Sequence, residues 1–162
     1  MNTNPHMKLL CVTGLVLLAG CASVHTKIEI HAPAKNVRTV LFKFNEYPKW
    51  NPFIIKVEGV VAEGNKVAVT VKPVGKAELS GHAKVALFQK NHLTWNGSLP
   101  IPGLFHGKHE FIIQELDANR TMFYQNEDMS GLVIPLLDRK PTEAGFIEMN
   151  KALKKQAEKA VN

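Results

Sequence analysis

Glu127 and His109 are the two side chains of this sequence whose type and position best suit acid–base chemistry. Glu127 stands in an alternating segment in which Phe123 and Met129 share its face, and His109 alternates with Phe111 in the same way. Withdrawal from water raises the pKa of a carboxyl group, which suits it to general acid or base catalysis. A structural hydrogen bond between strands would use the same pair, with Glu127 tied to a backbone N–H or a basic partner. Both interpretations stay open.

Other familiar site chemistries find no support in the sequence. The two cysteines, Cys11 and Cys21, both lie near the N-terminus, so the remaining chain has no thiol nucleophile, disulfide or thiolate metal site. His106 and His109 are three residues apart on a predicted strand and therefore point to opposite faces. No nucleophile elbow, phosphate loop or dinucleotide fingerprint is present. We expect neither a metal nor a cofactor.

The chain has a formal net charge of +6, and much of the excess lies near its C-terminal end. Such a basic face would either rest near anionic lipid headgroups or solvate one side of a helix and complement its dipole. We favour solvation. The aromatic–basic interleaving typical of nucleic-acid binding is missing, so we expect no nucleic-acid partner. The basic residues in question are Lys151, Lys154, Lys155 and Lys159.

Hydrophobic alternation with a period of two predicts the sheet that must position these side chains. We expect a first strand over residues 26–31, then a helix that opens at Pro33 and is broken by the proline- and aromatic-rich residues 47–53. Asn96 and Gly97 are interpreted as part of a strand rather than a hairpin turn. Turn-like separators delimit the remaining strands, which we expect near 55–62, 65–73, 79–89, 92–99, 105–117 and 120–130.

A long amphipathic helix is predicted at the C-terminal end, with Thr142 as its N-cap. The resulting order is β-α-α-β6-α, an α+β fold. A mostly antiparallel sheet that curves around this helix would bury the helix stripe most simply. The stripe steps by three or four residues through Phe146, Met149, Leu153, Ala157 and Ala160.

Residues 18–21, Leu-Ala-Gly-Cys, end an apolar run that follows Lys8, and they resemble the lipobox of bacterial lipoproteins. The resemblance implies a signal peptide over residues 1–20, lipidation of Cys21, and a short lipidated tether over 21–25. The run is shorter than the roughly 20 residues that span a bilayer, which favours a signal peptide over a transmembrane helix. A buried N-terminal helix is the alternative. Either Met1 or Met7 is the start.

The resemblance also implies a location outside the cytoplasm. Diacylglyceryl and N-acyl chains together give the stable anchoring that one acyl chain lacks. The residue after the cysteine is Ala22 and not Asp, which is similar to the pattern of lipoproteins that are sent to the outer membrane. We therefore expect the periplasmic face of the outer membrane in preference to the inner membrane, with the lipid anchor as the membrane contact.

Residues 26–162 resemble the helix-grip fold of START-like, Bet v 1-like and polyketide cyclase/dehydrase-like proteins. The element order matches, and so do local motifs spread over nearly the whole domain. Met129 departs from the pattern, because similar proteins often carry an aromatic residue there. The matching motifs are Ala32-Pro33-Ala34 with Val37, residues 47–53, Trp95-x-Gly97, residues 102–105, Gly107-x-His109-x-Phe111, Thr121-x-Phe123 and Glu127-x-Met129-x-Gly131.

This resemblance implies a cavity between the sheet and the long helix. Strand parity within that fold then predicts a mostly apolar lining with a few polar groups, the composition of a small-molecule pocket. Residues 50–53 and 131–137 are candidate gates, and the latter would cover the pocket or touch lipid. The predicted lining is Trp50, Phe53, Val85, Leu87, Trp95, Leu99, His109, Phe111, Phe123, Gln125, Glu127 and Met149.

Three hypotheses for the function remain. The first is a membrane-anchored, monomeric domain that binds a hydrophobic, lipid-like small molecule. The second is a cyclase or dehydratase that uses Glu127 and His109. The third is an envelope interaction protein that holds no ligand; its cavity would be filled by its own side chains, and it would expose an apolar patch.

Overall fold

The structure, a computed structural model, describes residues 19–159. Seven strands in this part of the chain form one sheet in the order β1-β7-β6-β5-β4-β3-β2, and all neighbours are antiparallel. Each connection from β2 to β7 is therefore a hairpin between adjacent strands. The strands are β1 (Gly20–Ile30), β2 (Ile54–Glu58), β3 (Lys66–Val71), β4 (Leu79–Gln89), β5 (His92–Ser98), β6 (His106–Asp117) and β7 (Arg120–Gly131).

Three α-helices complete the domain within residues 19–159. The short α1 (Ala34–Leu41) and α2 (Tyr47–Trp50) join the two edge strands β1 and β2, and a 3₁₀ turn (Phe44–Glu46) separates them. The long α3 (Lys140–Lys159) follows β7 after a second 3₁₀ turn (Ile134–Leu136). The predicted interruption at residues 47–53 is confirmed as α2 and the turn that follows it.

The sheet curls around α3 and buries its apolar stripe. Phe146, Met149, Leu153 and Ala157 are fully buried, while the stripe's predicted fifth member, Ala160, lies outside the described residues. At about 25 cal/mol per Å² of apolar surface removed from water, this stripe is a main source of the domain's stability. The predicted α+β fold, a curved antiparallel sheet around a long C-terminal helix, is confirmed.

Several element boundaries differ from the sequence prediction, and β2, for example, ends at Glu58 rather than near residue 62. β1 begins at Gly20, so residues 21–25 are not a tether but part of the sheet, with Cys21 opposite Ser130 and Val24 opposite Glu127. Among residues 21–25 only Val24 has a buried apolar side chain, and one such residue does not produce the alternating pattern from which a strand is predicted. α3 begins at Lys140, two residues before the predicted N-cap Thr142, and the Glu143 N–H donates to the Arg139 carbonyl at 3.0 Å.

α3 and β1 lie side by side and run in the same direction, so one end of the domain holds the start of both elements and the other holds their ends. Near its start α3 lies beside Ser23, in its middle Asn150 donates to Thr26 at 2.9 Å, and near its end Lys154 donates to the Glu29 carbonyl at 2.8 Å. Three long connections meet where both elements begin. We call this the open end, formed by residues 72–78, 99–105 and 132–139.

Candidate functional site

A cavity of about 340 Å³ lies between the concave face of the sheet and α3. Its walls are mostly apolar and come from β2–β7 and from α3, and its mouth is at the open end. This volume falls in the lower part of the usual range for small-molecule sites, about 300–1,000 Å³. Apolar wall residues include Phe53, Val71, Trp95, Leu99, Phe105 and Phe146.

The turn from α2 into β2 places Phe53 on this wall. The side-chain oxygen of the buried Asn51 accepts hydrogen bonds from the N–H groups of Phe53 at 3.0 Å and Ile54 at 2.9 Å. This Asx-type arrangement satisfies two backbone donors at a point where the helix has ended and the strand has not yet paired. The Phe53 ring then packs edge-on against Phe146 of α3, with ring centroids 5.0 Å apart.

His109 and Glu127 are two of the polar residues of the wall; the others are Ser80, His82, Ser98 and Thr142. His109 and Glu127 face each other across β6 and β7, and His109 Nδ1 lies 2.6 Å from Glu127 Oε2. The side chains are only 8% and 16% exposed, so the contact is largely withdrawn from water. A short hydrogen bond between an imidazole and a carboxylate in such surroundings is a charge-assisted one whenever Glu127 is ionised. The predicted pairing of His109 with Glu127 is therefore confirmed.

The second nitrogen of His109 faces Gln125, which is fully buried. Gln125 Nε2 lies 3.4 Å from His109 Nε2 and 3.4 Å from the Met149 sulfur. Because an amide nitrogen only donates, His109 Nε2 is the acceptor in this contact and Nδ1 is the nitrogen directed at Glu127. Glu127, His109 and Gln125 thus form a line from the cavity wall into the core.

Aromatic rings fix the orientation of the imidazole. The His109 ring packs edge-on against Phe111 at 4.7 Å and Phe146 at 5.1 Å between centroids, and Trp95 lies 5.9 Å away. The ring therefore has little freedom to turn. A carboxylate at the wall with an immobilised imidazole behind it is able to take a proton from a bound molecule and return it.

A missing side chain at Gly107 makes room for the Glu127 carboxylate. A Cβ at position 107 would overlap Glu127 Oε1 and would press on the Phe105 ring edge. Gly107 is buried in β6 opposite Met129. The glycine thus determines where the acidic group lies.

The structure brings some of the predicted lining residues to the cavity wall and not others. Val85, Phe111, Phe123, Gln125 and Met149 are buried in the core behind the wall. The predicted residues that do reach the wall are Phe53, Trp95, Leu99, His109 and Glu127.

Two residues of the predicted lining, Leu87 and Trp50, have side chains that do not face the cavity. The register shifts between Val85 and Leu87, which is a β-bulge, so Leu87 leaves the face that parity assigned to it and pairs with Thr94. Trp50 packs edge-on against Tyr47 at 5.1 Å between centroids and lies away from the cavity. Tyr47 itself is buried, its hydroxyl donates to the Leu41 carbonyl at 2.7 Å, and burial raises the pKa of its phenol.

Several wall residues were missed by the sequence prediction. Val69 and Val71 of β3 line the cavity, and strand alternation was the available signal for them. Gly97 and Gly107 also line the cavity, on the strand face that parity assigns to it. Leu137, from the predicted gate 131–137, does lie at the mouth.

The predicted lipidation residue, Cys21, is exposed at the start of β1. Most of the predicted signal peptide, including both candidate starts, falls outside the described residues. Between residues 19 and 159 no helix is long and apolar enough to cross a membrane. The same range contains no cluster of three or more His, Cys, Asp or Glu side chains suited to a metal ion.

Solved structures of similar fold cover nearly all of the chain. A START superfamily protein from Mycobacterium smegmatis is 19% identical, with a TM-score of 0.66, over 85% of this chain and 98% of that one. The Zhui aromatase/cyclase from a Streptomyces species is 20% identical, with a TM-score of 0.67, over 88% and 97%. Norcoclaurine synthase from Thalictrum flavum is 14% identical, with a TM-score of 0.66, over 90% and 99%. These likenesses establish the helix-grip fold.

A comparison with curated proteins finds no match. The model of one protein family, described as polyketide cyclase/dehydrase and lipid transport, matches residues 22–159, which is nearly the whole described domain. The match includes every strand and helix that builds the cavity and both members of the His109–Glu127 pair. This chain belongs to the polyketide cyclase/dehydrase and lipid transport family.

Proposed function

We propose that the protein is a membrane-anchored lipoprotein whose domain binds a hydrophobic small molecule in the cavity between the sheet and α3. The supporting observation is the cavity itself, which is apolar and is not filled by the protein's own side chains. A domain of the third kind, an interaction protein without a ligand, would have closed this space with larger residues at positions such as Gly97 and Ala83. The family membership supports a hydrophobic ligand.

The size and lining of the cavity narrow the class of ligand. About 340 Å³ suits one compact ring system or a single hydrocarbon chain rather than a two-chain phospholipid enclosed whole. Glu127 and His109 are polar groups of the wall that are largely withdrawn from water, so a ligand with one hydroxyl or carbonyl group would find a partner there. Most of the affinity would come from apolar surface removed from water.

The anchoring part of the proposal rests on the lipobox-like residues 18–21 and on the position of Cys21. Its side chain is exposed at the very start of the folded domain, where an attached diacylglyceryl group meets no steric obstacle. We propose the periplasmic face of the outer membrane as the location, with the domain acting as a monomer.

Native mass spectrometry of the chain, expressed in a bacterium that processes lipoproteins, tests the binding proposal. We expect a reproducible extra mass that is released on denaturation and is found in the organic extract. The intact mass of the denatured protein reports the anchor separately, as an acylated chain that begins at Cys21. A bare protein that also takes up nothing from a lipid extract would contradict the binding proposal.

A second candidate function, catalysis, is favoured by one observation. The 2.6 Å contact between His109 and Glu127 at the cavity wall is of the kind that moves protons, and a simple carrier of apolar molecules does not need it. A cyclase or dehydratase would use Glu127 to remove a proton from a bound carbonyl compound, with His109 holding the carboxylate in place. The chemistry of this pair decides between the two candidates.

A further inference from the structure

Exposed apolar side chains are concentrated at the open end of the domain. Nine large hydrophobic residues are exposed between residues 19 and 159, and six of them lie in or beside the three loops of that end. Leu136 is the extreme case, at 88% exposed. Concentrated exposure of this kind marks a surface that contacts another apolar phase. We call the six the apolar rim: Val74, Leu79, Leu99, Ile101, Leu136 and Leu137.

Backbone hydrogen bonds hold the loops that carry this rim in place. The Val133 N–H donates to the Leu104 carbonyl at 3.2 Å, and the Val74 N–H donates to the Pro141 carbonyl at 3.2 Å. Gly131, with a φ of 136°, lets β7 pass directly against the backbone of Leu104, where a side chain would overlap. The rim is therefore a fixed surface of the domain.

The same rim surrounds the mouth of the cavity. Leu79, Leu99 and Leu137 each line the cavity and are each more than 40% exposed, so they belong to both the inner wall and the outer surface. A molecule entering the cavity must pass between them. Most of the residues along this route are apolar.

The N-terminal part of the chain joins the domain at this rim. β1 begins at Gly20, and an ideal Cβ there would lie 3.0 Å from the Pro135 ring, next to Leu136. Cys21 is the next residue and is already paired with β7. Because residues 21–25 belong to the sheet, a lipid on Cys21 would have no spacer and would hold the rim against the membrane.

The other candidate membrane surface lies at the opposite end. The lysine-rich groove of α3 is formed by residues 151–159, and α3 is 20 residues long, which corresponds to about 30 Å. The Lys154 Nζ donates to the Glu29 carbonyl near the end of β1, far from Gly20. A flat bilayer that touches the rim therefore does not touch this basic groove.

We propose that the apolar rim docks on the surface of a phospholipid bilayer, with the cavity mouth facing the lipid, so that the ligand enters from the membrane rather than from water. The inference rests on the proposed anchored binding function and adds the orientation of the domain. Shallow insertion of exposed leucine and isoleucine side chains beside an anchor is the way a domain without a membrane-spanning helix holds one face to a bilayer.

Fluorescence quenching on vesicles tests the orientation. Leu136→Trp places a reporter on the rim, and Leu116→Trp is the matched control, since Leu116 is also an exposed leucine but lies near the turn from β6 to β7, at the opposite end. Each full chain is bound to phosphatidylcholine vesicles with brominated acyl chains, and the signal of the parent chain, from Trp50 and Trp95, is subtracted.

We expect the added emission of Leu136→Trp to shift to the blue and to fall at least two-fold in brominated vesicles, while that of Leu116→Trp stays unchanged. Equal quenching at both sites, stronger quenching at 116, or a chain that stays in the aqueous fraction on flotation would overturn the docking proposal. Added emission from Leu136→Trp that shifts to the blue without being quenched by the brominated chains would point to a protein contact and would equally overturn it. Ligand recovery by native mass spectrometry is a separate readout, so the binding function can survive a failure of the orientation.

Discussion

Gly107, His109 and Glu127 determine at the scale of single residues what the cavity can do. The glycine leaves the space, the carboxylate occupies it, and the imidazole holds the carboxylate at 2.6 Å. The strand pairing sets this arrangement, because positions 109 and 127 are directly opposite and 107 is two residues along the same face. A change at any one of the three therefore acts on the other two.

Gly107→Ala is expected to displace the Glu127 carboxylate and to break its hydrogen bond with His109. The free energy of unfolding should fall by about 1–2 kcal/mol, since one buried hydrogen bond is lost while the fold is kept. Imidazole ¹⁵N NMR of His109 and urea unfolding measure the two effects. Gly97→Ala is the control, because a Cβ there meets only the His82 carbonyl oxygen at 3.8 Å. An unchanged His109 spectrum in Gly107→Ala would contradict this account of the pair.

Glu127→Gln separates binding from catalysis. The amide keeps the shape of the side chain and still offers an oxygen to the His109 Nδ1 proton, so a binding domain should carry the same bound mass as the wild type. An enzyme that eliminates water would instead lose turnover by about 100-fold or more. Its variant would trap a molecule that is heavier by one water. Native mass spectrometry of both proteins distinguishes these outcomes, and the leading proposal predicts identical masses.

Sequence patterns predicted that His109 and Glu127 could pair but not the residue that makes the geometry of this contact possible. Alternation placed His109 and Glu127 on one face, because both strands are regular between positions 105 and 113 and between 121 and 130. The importance of Gly107 was hidden, since only the position of a neighbouring side chain shows that a glycine is required. Leu87 was misplaced because a bulge after Val85 leaves no recognisable mark in the sequence.

At the scale of elements, the contact between α3 and the α2–β2 turn shapes the cavity wall. Gly145 of α3 lies directly under the Phe53 ring, and a Cβ at that position would overlap it. The turn that carries Phe53 is held by the Asn51 side chain. The helix and the turn therefore fit together only because the helix has a glycine at this point.

Gly145→Ala should lower the free energy of unfolding by about 1–3 kcal/mol, because overpacking against Phe53 outweighs the better helix propensity of alanine. Lys155→Ala, on the exposed face of the same helix, should change it by less than about 0.5 kcal/mol. Urea unfolding of both variants measures the difference. Stabilisation by Gly145→Ala would show that the ring does not pack on the helix as described.

The last turn of α3 is joined to the end of β1 through Glu158. Partial burial works to raise the pKa of this carboxyl group, but hydrogen bonds from the Lys154 ammonium and the His31 N–H outweigh it and lower the pKa below its ordinary value of 4.5. A carboxyl group with a depressed folded-state pKa stabilises the fold above its unfolded pKa. That stabilisation is lost as the pH falls through the folded value.

Glu158→Gln should therefore reduce stability at neutral pH and reduce it less and less as the pH falls below about 4.5, because the wild type loses its own advantage there. Urea unfolding at a series of pH values measures the convergence of the two proteins. Glu63→Gln, in an exposed turn, is the control and should follow the wild type throughout. A gap between Glu158→Gln and wild type that stays constant down to acid pH would contradict this role.

Element boundaries were predictable where the apolar periodicity was strong. β4 to β7 and the stripe of α3 lie close to their predicted positions, since alternating or three-to-four spacing persists through each of them. β1 was predicted six residues too short, because Cys21, Ser23 and His25 point outwards and only Val24 is buried between residues 20 and 26. The pairing of β1 with β7 is a long-range contact, which local periodicity does not report.

For the whole molecule, the fold follows from a single requirement, the burial of one helix stripe by one curved sheet. That requirement predicted the element order and the fold class. The cavity beside the helix was implied only by the family resemblance, because the empty space depends on small residues at facing positions, among them Gly97, Gly107 and Ala83. The cavity mouth and the start of β1 both lie at the open end of the domain, and only the three-dimensional structure shows that they lie together.

The most direct test of the central claim is to fill the cavity and ask whether the bound molecule is lost. Gly97→Leu directs a side chain into the cavity from β5 without a positive-φ constraint, and Lys84→Leu adds the same side chain to the exposed face of the neighbouring strand. Native mass spectrometry of both variants and the wild type, purified alike without detergent, should show the extra mass in the wild type and Lys84→Leu and its loss in Gly97→Leu. A folded Gly97→Leu protein that retains the molecule at the wild-type level would contradict the claim that this cavity is the binding site.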